Sequence, residues 1–449
     1  GVKAQYMEEF RKYLEQEGAP VNEGTRIIRL RTAVREDILR ERTLYTIRLK
    51  EGANFRHQAR RMTLCAPDEG FWRYLLKNRV VIDCRTRIQS IDSGFRFKLD
   101  AQPEERTIPD EALPLLDWMR ILEELEQYKR EKRYYNIGLD AAQLPEILRR
   151  SGWYGLLVPA NYLKIASFED LETAADYAVL VLRAYLDRFF RYEKARWEAP
   201  LLEYRPLAAD DRNFMDEYTI RYQPHAADDP TAQALEAFAA EASGQLLTNG
   251  GLGETGKLTF RDRLVLLDFP GHLYAPLVGL GTSNLPVQVT PAALNRDELR
   301  FVEDLMAYTA SGPQVLDRKS LYLLRNQSKA GLGFFEAGNF YPDFLLWIDT
   351  AEKQYLSFID PKGMGFVRPD DPKVQFHRTV KTLEARLAPT AAKPVVLHSF
   401  LLSGTRSADL RLLWSTPEVD ADRAYREARN VYALDDPDYL ARLIAKILE

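Results

Sequence analysis

At 449 residues the chain is long enough for two or three domains, each able to bury its own apolar core. Hydrophobic residues at 46% and charged residues at 29% exclude a disordered or collagen-like chain, and no apolar run approaches the roughly 18 residues of a membrane span. A formal net charge of −4 excludes a global basic field, so any contact with nucleic acid must come from a local patch. Cys65 and Cys84 show neither metal-ligand spacing nor a disulfide framework, and no signal peptide is visible, which fits a reducing cytoplasm.

Residues 1–105 read as a β-rich region. An amphipathic helix over 4–17 stops at Gly18, and strand-like runs follow at 26–34, 44–49, 61–65, 80–91 and 95–99. Residues 106–250 read as mainly helical, with helices over 110–132, 141–151 and 168–198. Basic and aromatic side chains interleave at 129–135 and again at 188–197. Such patches either track a nucleic-acid backbone or are solvated helix faces with i,i+4 pairing; Glu131, Asp187, Glu193 and Glu198 dilute them and favour the second reading.

A strand-rich connection follows over 251–290. Its opening run from Gly251 to Leu258 has the length of a phosphate-binding P-loop, but Leu258 stands where that motif needs Ser or Thr for magnesium. A turn is the expected structure. No DEAD or DEAH box is present in the chain, and it begins Gly-Val-Lys rather than with methionine, so it reads as a piece separated from a longer polypeptide.

Residues 291–415 carry the chemistry. A helix over 295–309 should begin at Asn295 as N-cap, with Glu298 as its capping-box partner. Leu294, Phe301, Val302, Leu305 and Tyr308 form its apolar stripe. Glu298 falls near the middle of that stripe, so it either closes the cap or points to a site as a ligand. Glu303 points away. A strand over 321–326 and a glycine-rich connection over 328–338 lead into two short apolar runs, Phe340 to Ile348 and Tyr355 to Gly363, split by a polar turn. Glu336 and Asn339 in the connection either reach the site or hold their own loop's amides. With the turn centred near Ala351 and Glu352, Asp343 lies directly across an antiparallel hairpin from Asp360, their Cβ atoms about 4.5–5.5 Å apart.

Two carboxylates at that spacing repel, and burial disfavours the charged form further. A hard divalent cation with oxygen ligands would offset the repulsion, and the Pro361 carbonyl is available as a further ligand. Period-2 alternation puts Lys362 on the face of Asp360. Two acids and a lysine suit metal-assisted phosphodiester hydrolysis. A helix over 374–387 adds His377 and Lys381, which either touch a phosphate or sit satisfied on its edge. A strand over 395–402 completes the core, and residues 416–449 form a helical tail.

Pro342-Asp343 with Asp360-Pro361-Lys362 resembles the PD-(D/E)xK nuclease superfamily. The longer run from Gly331 to Asp343, with Phe358 to Gly363, is similar to the C-terminal endonuclease part of type III restriction subunits. That resemblance implies an α/β, restriction-endonuclease-like core (αβββαβ) and a DNA endonuclease using Mg2+, with Mn2+ able to substitute. Asp343, Asp360 and Lys362 would be catalytic, and Asp343, Asp360, Pro361 and Glu298 would hold the metal. It further implies a helicase or ATPase motor in the parent polypeptide or complex, and a homodimer or partner subunit for double-strand cutting. The competing expectation is a non-catalytic nucleic-acid-binding or docking module on the same fold, and RNA is an open alternative as substrate.

Overall fold

A computed structural model describes residues 25–84, 104–150, 152–158, 163–223, 229–249, 251–252, 255–327, 341–365, 367–387 and 391–449. The helix expected over 4–17, the strand over 95–99 and the connection bearing Glu336 and Asn339 lie outside them. The fold is mixed α/β.

Two compact units are formed, one by Leu49–Glu203 and one by Gly1–Arg48 together with Tyr204–Glu449. The boundaries expected at 105 and 250 each fall inside a unit. The first hundred residues also hold helices at Glu36–Glu41, Phe55–Gln58 and Glu69–Lys77, so the region is not simply β-rich. Pro230–Asn249 is a helix that periodicity does not announce. Its buried positions include Ala232, Ala239 and Ala242, which favour helix strongly yet contrast weakly with their polar neighbours.

Within the unit Leu49–Glu203, helices Trp118–Lys132 and Phe168–Glu198 pack around the fully buried Trp153, Tyr154 and Tyr185. Ser167 opens the long helix with a complete capping box to Asp170. In the other unit, strands Arg26–Arg31, Glu217–Tyr222 and Val287–Thr290 form an antiparallel sheet that shares a core with the helix Pro230–Asn249.

The same unit holds a five-stranded sheet, built in sequence order. It runs α1 (Arg296–Ala310), β1 (Ser320–Arg325), β2 (Phe344–Asp349), β3 (Gln354–Lys362), α2 (Pro372–Arg386), β4 (Val395–Ser403), α3 (Ser407–Trp414), α4 (Arg423–Glu427), β5 (Val431–Ala433) and α5 (Tyr439–Leu448). Spatial order follows chain order; β1, β2 and β3 are antiparallel, while β4 and β5 join parallel. Every residue of β2 is buried, as a strand covered on both faces requires. Phe301 of α1 meets Phe344 at 5.3 Å between ring centroids, and Phe376 of α2 meets Phe358 at 6.2 Å. Phe344 and Phe358 point to opposite faces of the sheet, so one helix covers each.

Asn295 caps α1 as expected, its side chain accepting from the amides of Asp297 and Glu298. Asn295→Ala should therefore lower stability by about 1 kcal/mol. Thermal unfolding measures this; an unchanged Tm would show the cap to be dispensable.

Candidate functional site

The hairpin register decides where the acids fall. Phe344 pairs with Ile359 and Asp349 with Gln354, so one step past Phe344 brings Asp343 opposite Asp360. That register sets the two carboxyl groups side by side, and the Asp343 carboxyl is held well above the usual carboxylate range. Burial is the main cause, followed by the charges of Asp360 and Glu298. Asp360 is only 6% exposed. Lys362, two residues along the same face, donates from Nζ to Asp360 Oδ2 at 2.6 Å.

Pro361 lies beyond the last antiparallel pair, so on that side its missing amide breaks no ladder bond. On the other side the strand continues parallel to β4 through Lys362 and Ser403. Proline is tolerated in a central strand here because one neighbour has already ended.

Glu298 serves the cap and faces the acids. Its Oε2 accepts from the Asn295 amide at 3.4 Å and from Arg325 Nη2 at 3.2 Å. Its carboxyl is raised by burial, partly offset by Arg325, with the charge of Asp360 adding to the rise. Of the two roles weighed for it from sequence, the cap is present, and among the described residues its carboxyl forms no metal-holding group with the two aspartates. Glu303 instead takes Lys257 Nζ at 2.7 Å.

Three residues support the site that sequence reasoning gave no role. Arg325, at the end of β1, neutralises Glu298 and is itself anchored on the Ala292 carbonyl at 2.6 Å. Asn326 clamps the chain before β2: its amide donates to the Asp343 carbonyl and its Nδ2 to that of Pro342, each at 2.8 Å. Lys373, in the first turn of α2, has its ammonium pKa lowered by burial and by Lys362, while the Asp360 charge opposes the shift. The signal for the first two was two polar residues ending an apolar strand; Lys373 left none. His377 and Lys381 keep local partners, the Val374 carbonyl at 2.7 Å and Glu384 at 3.1 Å, and so stay on the helix edge.

The charges balance unevenly. Arg325 faces Glu298 and Lys362 faces Asp360, whereas among the described residues no basic side chain pairs with Asp343. Among the described residues no group of three or more His, Cys, Asp or Glu side chains could by itself hold a metal ion. Two carboxyls with a displaced third acid nevertheless fit Mg2+, which is usually held by one or two carboxylates and completes its shell from solvent and substrate phosphate. The facing acid pair, with Asp360 buried and Asp343 half-buried across the hairpin, is the observation that supports this fit.

Among the described residues of the run 251–258, the lysine and a glycine take structural roles. Lys257 opens the strand Lys257–Phe260 and is paired to Glu303. Gly256 has φ +67, and a Cβ there would meet the Asp268 carbonyl at 2.6 Å, so its glycine serves a tight turn. Among the described residues no helix is long and apolar enough to cross a membrane. No known protein-family model, curated protein or solved structure matches the chain.

Proposed function

We propose that the sheet-bearing unit is a magnesium-dependent DNA endonuclease module with a restriction-endonuclease-like core of the PD-(D/E)xK type, working beside an ATP-driven motor as type III restriction-like systems do. The observation that carries this reading is the facing pair Asp343 and Asp360 with Lys362 on the same surface. Asp343 and Asp360 would hold the cation, with the Pro361 carbonyl and Glu298 at its margin. When bound, Mg2+ supplies Lewis-acid polarisation of a phosphoryl oxygen.

The chain's own groups supply the rest. Asp343 must surrender its proton to bind a cation, and no basic side chain among the described residues pairs with that carboxyl. Lys362 orients the attacking water or steadies the charge that develops on the phosphate. Lys373 keeps a second ammonium near Lys362 and opposes its charge, which favours an incoming anion between them. Arg325 keeps Glu298 from adding a full third charge, and Asn326 fixes the backbone that aims Asp343.

The test is cleavage by the full chain of linear, nicked and single-stranded DNA with Mg2+ or Mn2+, beside an EDTA control. Metal-dependent strand scission is expected. Binding without scission on every DNA substrate would identify a docking module instead, and scission confined to RNA would reassign the substrate.

A further inference from the structure

The basic-aromatic segments at 129–135 and 188–197 converge within the unit Leu49–Glu203, and a third segment joins them. Phe190 is the meeting point. Tyr134 stacks on it at 3.8 Å between centroids, Phe55 meets it edge-on at 5.3 Å, and the Arg56 guanidinium lies 5.7 Å from its centroid. Phe55 also reaches Trp197 at 5.8 Å. Phe55, Arg60, Met62, Arg196 and Trp197 line an open cavity of about 470 Å³, with Glu193 at its wall. Arg133 ends its helix at φ 58, after which Tyr134 turns inward and Tyr135 outward. Tyr135 is 56% exposed, and the His57 ring lies 6.1 Å from it.

Part of each segment is structural, as a solvated or packed helix face would be. Lys129 is tied to Glu126 at 2.7 Å, and Arg188 donates to the carbonyls of Asn78 and Ala184. Asp187 accepts from the hydroxyls of Tyr128 and Tyr134, and Glu131 from Gln127; these neutral donors leave both charges in place, so with Glu193 they offset part of the patch without outnumbering its cations. What remains is cationic. Arg56, Arg60, Arg61, Lys132 and Arg133 are exposed, and among the described residues none has a carboxylate partner. Arg196 faces Glu193 only at 3.8 Å with its side chain 65% exposed, a pairing worth little in water.

Guanidinium groups match phosphate geometry, and the exposed Tyr135 and His57 rings with the half-buried Trp197 at the cavity offer stacking surface to any base. An acidic protein would use the charges but has no need of the rings, and a duplex hides the base faces that the rings would meet. We infer that this surface binds single-stranded nucleic acid, with the arginines on the phosphates and a base against Trp197 in the cavity. It belongs to the unit Leu49–Glu203 and stands without the cleavage reading.

The test is fluorescence anisotropy of a labelled single-stranded oligonucleotide with the full chain in EDTA, so that a failure here leaves the metal-dependent reading untouched. The triple variant Arg60→Gln, Arg61→Gln, Arg196→Gln alters exposed side chains, and its Tm is checked against the parent. Its Kd is expected to weaken by about tenfold or more at about 100 mM salt, and the slope of log K against log salt to become shallower by about 2, three phosphate contacts at about 0.7 each. Trp197→Ala should weaken binding with the salt slope kept, because stacking releases no counterions. Parent-like binding by the triple variant, tighter binding of duplex than of single strand, or equal capture of anionic phospholipid vesicles would each overturn the assignment.

Discussion

Asp360→Ala and Lys362→Ala are each expected to reduce metal-dependent DNA cleavage by about 10³-fold, while the folded state stays within about 1 kcal/mol of the parent. The two effects separate because the residues stand in a site rather than in a core. Asp360 is buried, but its removal relieves the carboxylate pressing on Asp343. The Lys362 side chain is 22% exposed, so an ammonium that loses its partner can turn to water. In the other variant, alanine takes away the charge beside the phosphate and leaves Asp360 without its lysine. Initial rates on a DNA substrate, beside urea unfolding of the same preparations, read both quantities. Robust cutting by either variant would remove the assignment.

Asp343→Asn is expected to stabilise the protein in the absence of divalent metal, and increasingly so as pH rises. The Asp343 carboxyl titrates higher in the folded protein than in the unfolded chain, so the folded state binds the extra proton. By linkage, the stability this group contributes is complete below the ordinary aspartate pKa, near 4, and is lost as pH rises through the raised folded value. Asparagine keeps a donor toward Asp360 at every pH. Between pH 5 and pH 8 the parent should therefore lose more than about 1 kcal/mol relative to the variant, since one pKa unit corresponds to about 1.4 kcal/mol.

Histidine works in the opposite sense. His272 and His398 are both pushed down to about 3 by burial, so their contribution is lost as pH falls below about 6.5. The parent-minus-variant difference cancels them, which is why the comparison, not the raw profile, is informative. Urea midpoints in EDTA at the two pH values measure it. Parallel profiles for parent and variant would show that the acids do not press on one another.

How far the sequence disclosed this site depends on how local each contact is. The Asn295 cap and the Asp343–Asp360 pairing are legible because a capping box spans three residues and a hairpin register follows from its turn. Lys362 follows from alternation along one strand. Arg325, Asn326 and Lys373 are not legible in this way, because what they touch arrives from other elements: Arg325 meets Glu298 across 27 positions, and Asn326 holds Pro342 across 16. The division into units is still less local. Arg26–Arg31 pairs with Glu217–Tyr222, and Tyr274–Ala275 pairs with Ala33–Val34, so the unit Leu49–Glu203 interrupts the other in a way no composition shift records.

Calorimetric titration of Mn2+ at pH 7 asks most directly whether the facing acids hold a cation. It is made on the full chain with a non-cleavable oligonucleotide bound, in two buffers of different ionisation enthalpy. One ion should bind with release of about one proton, because the raised Asp343 carboxyl must lose its proton to become a ligand. Both signals should vanish in Asp360→Ala. Equal binding by that variant, or binding by the parent without proton release, would contradict a metal centre between the two strands.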